Sequence, residues 1–233
     1  TLSSSSAASD VYKRQTLCKS FIDRLVELHQ VDYQACGLAD LGKPDGYVAR
    51  QIKGWSERYD NARTPDAPGW QEVRTWLEEK MPADHPRPAI VHNDYRFDNV
   101  ILDANDPLRI IGVLDWELTT LGDPLMDLGN TLAYWIEADD PAPVQLMRRQ
   151  PSNAPGMLTR QAFVDYYAER AGIEIKCFDF YYIYGLFRLA GIVQQIYYRY
   201  YHGQTADKRF ASFVQMNALL EKMALGVVAR SSL

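Results

Sequence analysis

The sequence predicts an α+β fold that is mostly α, a set of helices around one small β-hairpin. Three observations lead there. Apolar residues recur at helical spacing along most of the chain. Two short apolar runs, Val100-Ile101-Leu102 and Ile110-Ile111-Gly112-Val113-Leu114, flank the turn-forming segment Asp103-Ala104-Asn105-Asp106-Pro107. A dense group of ionisable and amide side chains, His92-Asn93-Asp94-Tyr95-Arg96-Phe97-Asp98-Asn99, then interrupts the apolar text between Ala89-Ile90-Val91 and the first of these runs. All three runs read as short buried strands, with the chemistry at their ends. Hairpin strands are antiparallel, so Asn99, which opens the first, and Asp115, which closes the second, come out side by side.

Taken in order, residues 1–15 are rich in Ser and Ala without a helical or strand period, and read as a disordered leader or one foreign to the fold, although Val11-Tyr12-Lys13-Arg14-Gln15 offer a helix start. From there Leu17, Phe21, Leu25 and Leu28 share one helical face, and His29 at its end reads as a capping or packing residue. Gly42-Lys43-Pro44-Asp45-Gly46 lacks the spacing of a phosphate-binding loop, and Pro44 removes a backbone donor, so 37–46 is a connector. Tyr47, Gln51, Trp55 and Tyr59 form a second stripe, and Trp70, Val73, Trp76 and Leu77 a third; 61–69 and 81–88 are loops. Gly122-Asp123-Pro124 is a helix start, with Asp123 as cap and Pro124 where its missing donor costs nothing; Leu125, Leu128, Leu132 and Trp135 give the buried face. After a Pro-rich loop over 137–156, helices are expected around 159–171, 178–201 and 206–228, with Gly172 and Gly203 as stops. The middle one is crowded with aromatics that should pack. Its Arg188 and Arg199 read equally as surface salt-bridge partners or as groups reaching an anionic substrate.

An amide oxygen and a carboxylate converging beside open space suit Mg²⁺, which takes few protein ligands and shares substrate phosphates. Asp94, just upstream, is a plausible base. His92 reads as a hydrogen-bonded structural histidine.

The order His-x-Asp-x-x-x-x-Asn, hairpin, Asp resembles the catalytic loop and metal-binding Asp of protein-kinase-like phosphotransferases, and its wording is similar to the aminoglycoside phosphotransferase superfamily. Within it, Asp115-Trp116-Glu117-Leu118-Thr119-Thr120-Leu121-Gly122-Asp123-Pro124 is similar to the kinase-like domains fused to acyl-CoA dehydrogenases. The resemblance implies a kinase-like C-terminal lobe over 16–233 whose hairpin carries the metal site. Asp94 becomes the base toward a substrate hydroxyl, Asn99 and Asp115 the ligands of Mg²⁺ and through it of ATP, and Arg96 a fixed charge near the transferring phosphoryl. His92, Glu117 and Asp127 become supporting groups; Asp127 would brace the loop, or is simply an acid in the first helical turn. Asn93 departs from the Gly common in the family. The implied acceptor is a small-molecule alcohol, whether hydroxyacyl thioester, aminoglycoside, choline or sugar-like, with possible fusion or association with an acyl-CoA dehydrogenase. The β-rich lobe that carries the nucleotide-covering loop and phosphate-binding Lys is not read in this chain. A truncated small-molecule kinase is therefore expected, inactive alone, with apolar surface bared on the helices before His92.

Composition bounds the alternatives. With 233 residues and 47% hydrophobic content the chain can bury a sizeable core, and a net charge of -5 provides no basic field for nucleic acid. Cys18, Cys36 and Cys177 have neither metal-ligand nor disulfide spacing, which fits a reducing cytoplasm, and no apolar run approaches membrane-spanning length. Two other readings compete: a noncatalytic kinase-like binding module, and a metallohydrolase using His92 and Asp94, which would need further His or Cys ligands.

Overall fold

The computed structural model describes residues 4–233; the first three residues of the expected leader lie outside the described residues. The helices are α1 (Ser4–His29), α2 (Tyr47–Ala62), α3 (Gln71–Glu79), α4 (Pro124–Ala133), α5 (Ala142–Gln145), α6 (Arg160–Ala171), α7 (Asp179–Tyr201) and α8 (Phe213–Val228). The strands are β1 (Ala89–Val91), β2 (Val100–Leu102), β3 (Ile110–Val113) and β4 (Thr120–Gly122). The fold is mostly helical with small sheets, as the sequence predicts.

Helix α7 is the central post, packed by α2, α4 and α8, while α1 lies against α6 and β1. Its Tyr181, Tyr184, Phe187 and Tyr197 are buried, so most of its aromatics do pack. The α4–α7 crossing is backbone on backbone. A Cβ on Gly129 would lie 2.1 Å from the Tyr181 carbonyl oxygen, and one on Gly185 would lie 2.2 Å from that of Gly129. Only glycine permits this approach. From α1, Cys18, Phe21, Ile22 and Leu25 enter the core.

Two antiparallel ribbons present the site. The hairpin pairs Val100 with Val113 and Ile101 with Gly112. The second ribbon pairs β1 with β4, Val91 against Thr120, and β4 went unread because three residues flanked by polar text carry no strand period. A Cβ on Gly122 would meet the Tyr47 ring at 2.5 Å, so this glycine lets α2 close on the ribbon.

Four expectations are corrected. The helix α1 extends back to Ser4, through residues read as irregular; lengthening an existing helix needs no new nucleus, and Arg14 Nη1 donates to the Pro155 carbonyl at 2.9 Å. The hairpin strands are buried on one face only: Ile110 is enclosed, but Ile101, Leu102 and Ile111 are exposed, and Leu114, Trp116 and Leu118 continue the strip, because a two-stranded ribbon covered on one face leaves the other open. The exposed apolar strip therefore lies on the hairpin and its exit, whereas on α1, α2 and α3, the helices before His92, the large exposed apolar side chain among the described residues is Tyr12. The last helix begins at Phe213, after a 3-10 turn over Lys208–Ser212 that Asp207 caps. Among the described residues no helix is long and apolar enough to cross a membrane, and all three cysteines are free.

Asp123 caps α4 as expected, its Oδ1 accepting from the Leu125 amide at 2.8 Å. Its Oδ2 is buried without a partner, and burial pushes the carboxyl above its ordinary pKa. A raised folded-state pKa means that the charged form costs stability, and the cost grows as pH rises from the ordinary carboxylate range. Asp123→Asn, which keeps the cap, should therefore unfold at the same or a higher temperature at neutral pH, with the gain vanishing in acid. A lower melting temperature at pH 7 would show that the charge is compensated.

Candidate active site

The 92–99 loop leaves β1 and turns sharply at Asn93, whose φ of 66° is left-handed. Asn tolerates this conformation, which explains how it stands where Gly is common. Its side chain adds what Gly lacks: Oδ1 accepts from the Tyr47 hydroxyl and from Asn130 Nδ2, both at 3.2 Å, and Nδ2 donates to the Leu118 carbonyl at 3.0 Å. Tyr95 and Phe97 anchor the loop from below. The Tyr95 ring stacks on Phe21 and the Phe97 ring is tilted against it, each with its centroid 4.3 Å away, and the Tyr95 hydroxyl donates to the Phe21 carbonyl at 2.8 Å.

A buried carboxylate holds the loop from behind. Asp127 is fully enclosed and accepts from the His92 and Asn93 amides, each at 2.7 Å, and its Oδ2 lies 3.1 Å from His29 Nε2. Burial alone would raise its pKa, but His29 and the two amides outweigh it and hold the carboxyl below its ordinary value. Of the two readings of Asp127, the brace has the geometry. His29 does more than the packing expected of it, since Nδ1 is 2.7 Å from the Tyr167 hydroxyl. The only sequence hint was a polar residue ending an apolar face. His92 is structural as predicted: Nε2 donates to the Leu114 carbonyl at 2.8 Å, and Nδ1 accepts from the Asp94 amide at 3.2 Å.

These anchors place the reactive side chains. Asp94 is part-exposed and its Oδ2 accepts from Arg96 Nη2 and from Asn99 Nδ2, both at 3.0 Å, while Arg96 Nε is 3.0 Å from Oδ1. The Arg96 guanidinium also lies 4.9 Å from the Tyr134 ring centroid. Burial opposes its charge but Asp94 more than compensates, so its pKa is raised. Asn99 is buried with Nδ2 spent on Asp94, which turns Oδ1 away from that contact. The Leu114 amide donates to the Asn99 carbonyl at 2.8 Å, which ties Leu114, the residue before Asp115, to Asn99. Asp115 is exposed, takes a left-handed φ of 66° and, among the described residues, has no hydrogen bond or ion pair. Two hard oxygen donors left unspent fit a divalent cation that keeps most of its waters. Glu117 is exposed in the following 3-10 turn.

Beside Arg96 opens a cavity of about 260 Å³ lined by Tyr134, Met147, Arg149, Ile196 and Met216. It shares Met147, Arg149 and Met216 with an outer, mainly apolar cavity of about 580 Å³.

A sequence profile of the phosphotransferase enzyme family, APH, matches residues 2–163. The chain belongs to the APH phosphotransferase family. It is 31% identical over 217 residues to acyl-CoA dehydrogenase family member 11 of Gallus gallus and 33% identical over 214 residues to family member 10 of Mus musculus. In each case 91% of this chain is covered, but only 27% and 20% of those relatives. Among solved structures, a Ralstonia eutropha protein assigned as an aminoglycoside phosphotransferase superposes with a TM-score of 0.82 at 29% identity, over 96% of this chain and 68% of that one. The choline kinase of Cryptosporidium parvum, at 11% identity and a TM-score of 0.51 over 91% of this chain and 67% of its own, shares the fold. The resemblance read from residues 92–124 is thereby borne out, for the APH family and for its acyl-CoA dehydrogenase-linked members.

The brace in this APH chain is testable. Asp127→Asn keeps the shape but sets an amide donor against donors, and breaking a buried, charge-assisted cluster should cost about 3–5 kcal/mol in urea unfolding at neutral pH. A lowered folded-state pKa contributes stability above the ordinary carboxylate range and loses it as pH falls through the folded value. The variant should therefore show a flatter acid limb than the parent. Identical limbs would remove Asp127 from that account.

Proposed function

We propose that this chain, over 16–233, is the C-terminal lobe of a Mg²⁺/ATP-dependent kinase acting on a hydroxyl of a small molecule. The observation that carries the reading is the grouping of Asp94, Arg96 and Asn99 on a loop locked by Asp127 and tied through the Asn99 carbonyl to Leu114, the residue before Asp115. Asp94 accepts the acceptor's hydroxyl proton as the alcohol oxygen bonds to the γ-phosphorus and the bond to the ADP oxygen breaks. Asn99 and Asp115 would hold Mg²⁺ through their free oxygens, and the ion would offset the charge of the donor phosphates. Arg96, tied to Asp94, exchanges that contact for the transferring phosphoryl, to which its fixed charge is suited.

The apolar groove beside Arg96 supports an acceptor with an aliphatic portion, and Arg149 on its wall disfavours a cationic one. Of the acceptors weighed, a hydroxyacyl compound fits this better than an aminoglycoside or choline, and the acyl-CoA dehydrogenase names of the curated relatives agree with it. The free cysteines suit a reducing compartment such as the cytoplasm. Both ring nitrogens of His92 are engaged, which speaks against a hydrolytic metal there.

In an enzyme that contains these residues together with the nucleotide-binding lobe, Asp94→Asn should lower kcat by about 10²–10⁴-fold with nucleotide affinity little changed. Asn99→Ala and Asp115→Ala should instead raise the Mg²⁺ concentration needed for half-maximal rate. Unchanged turnover in Asp94→Asn would refute the assignment. The 233 residues purified alone should release no acceptor-dependent ADP, because positioning and charge on the phosphates require groups beyond these elements. Tight nucleotide binding with acceptor-dependent ADP release would overturn this half-enzyme reading.

A further inference from the structure

The short helix α5 and the chain just after it supply one wall of the two cavities beside Arg96. Two glutamines fasten this wall. Gln145 Nε2 donates to the Glu137 and Asp140 carbonyls at 2.6 and 3.1 Å, and its Oε1 accepts from Asn153 Nδ2 at 2.8 Å. Gln150 is buried; its Oε1 accepts from the Phe97 amide at 3.1 Å and its Nε2 donates to the Tyr134 carbonyl at 3.3 Å. Phe97 directly follows Arg96, so the second anchor ties the wall to the loop that carries Asp94 and Asn99.

Between the anchors Leu146, Met147 and Arg149 line the outer cavity of about 580 Å³. Leu146 is 88% exposed, more than any other large apolar side chain among the described residues. A single exposed leucine is ordinary, but this one closes a cavity whose other apolar walls are Met147, Phe210, Phe213, Met216 and Leu219. Arg209 in the same lining is engaged by Asp207, so what the cavity mainly offers a ligand is apolar contact. Met147, Arg149, Phe213 and Met216 also line the inner cavity, and the two spaces therefore meet at a pair of methionines, whose unbranched side chains adapt to what lies between them.

The inner cavity reaches Arg96, whose guanidinium holds Asp94. At about 260 Å³ it falls below the range of about 300–1,000 Å³ usual for small-molecule pockets, whereas the two cavities joined lie inside that range. A molecule that engages Asp94 and outgrows the inner cavity has the outer one as its continuation. We propose that the outer cavity is a chain-binding site, taking the aliphatic chain of the acceptor whose hydroxyl faces Asp94, and that Leu146, Met147 and Met216 set the chain length accepted. The inference rests on the acceptor reading above for the hydroxyl at Asp94, but binding tests it without phosphoryl transfer, so the two can fail separately.

The test is calorimetry on the 233-residue chain with 3-hydroxyalkanoates of four, six, eight and ten carbons, each below its micelle concentration. Once the chain passes the methionines, affinity should rise by about two- to fourfold for each methylene buried. Leu146→Asp sets a charge on the chamber wall at a position too exposed to matter for folding. It should weaken the eight- and ten-carbon probes tenfold or more and leave the four-carbon probe within about twofold, with an unchanged melting temperature. Ser212→Trp, which adds bulk to the same cavity from an exposed position, should act alike. Ile111→Asp, on the exposed hairpin strip, should leave the whole series unaltered. No binding at any length, a flat series, a slope that survives both Leu146→Asp and Ser212→Trp, or one lost in Ile111→Asp would overturn the proposal. A slope lost only in the two cavity variants supports the chain site even where an enzyme with its nucleotide-binding lobe fails to phosphorylate these probes, a failure that would count against the acceptor reading instead.

Discussion

One enclosed carboxylate orders the reactive surface. Asp127 projects from the first turn of α4 into the protein interior and is held ionised by His29 and the amides of His92 and Asn93. Charge-assisted bonds in a low-dielectric interior are strong and directional, and they cannot be exchanged for solvent. The loop behind Asp94 is thus tied to α1, through His29, and to α4 at one point. The left-handed turn at Asn93 is affordable because the amides on either side of it are claimed by this carboxylate.

From that tie the geometry propagates outward through short links. His92 bridges to Leu114, Asn93 to Leu118, and the Leu114 amide to Asn99, so the hairpin exit carrying Asp115 cannot drift from the loop carrying Asp94. The reactive ends remain less constrained. Asp115 is exposed and unpaired, and Asp94 is held by Arg96 and Asn99, partners that can be exchanged. A rigid base with uncommitted oxygens at its rim is what positioning chemistry needs.

Tyr134 joins the loop to the groove beside it: it lines the groove with Met147 and Met216, and its ring carries the Arg96 guanidinium 4.9 Å from the centroid. The exposed strip on the hairpin, Ile101, Ile111, Leu114 and Trp116, does not line that groove.

Much of the fold was legible without coordinates, because helices with one apolar face announce themselves by period and Gly122-Asp123-Pro124 by cap chemistry. The sequence by itself determined the family, the loop and hairpin order, and the candidates Asp94, Asn99 and Asp115, since these depend on spacing along the chain. The strand β4 escaped because a three-residue strand is set by its partner β1. The exposed hairpin faces escaped because burial depends on what covers a surface, and the extension of α1 because propagation of a helix needs little from propensity. Only the tertiary structure decided that His29 meets Asp127 98 residues away and that Arg188 lies buried over the Trp55 ring. A histidine at a helix end and an arginine on an aromatic helix look ordinary in one dimension. Their electrostatic state is fixed by which groups the folded chain brings within a few ångströms, and periodicity carries no record of that.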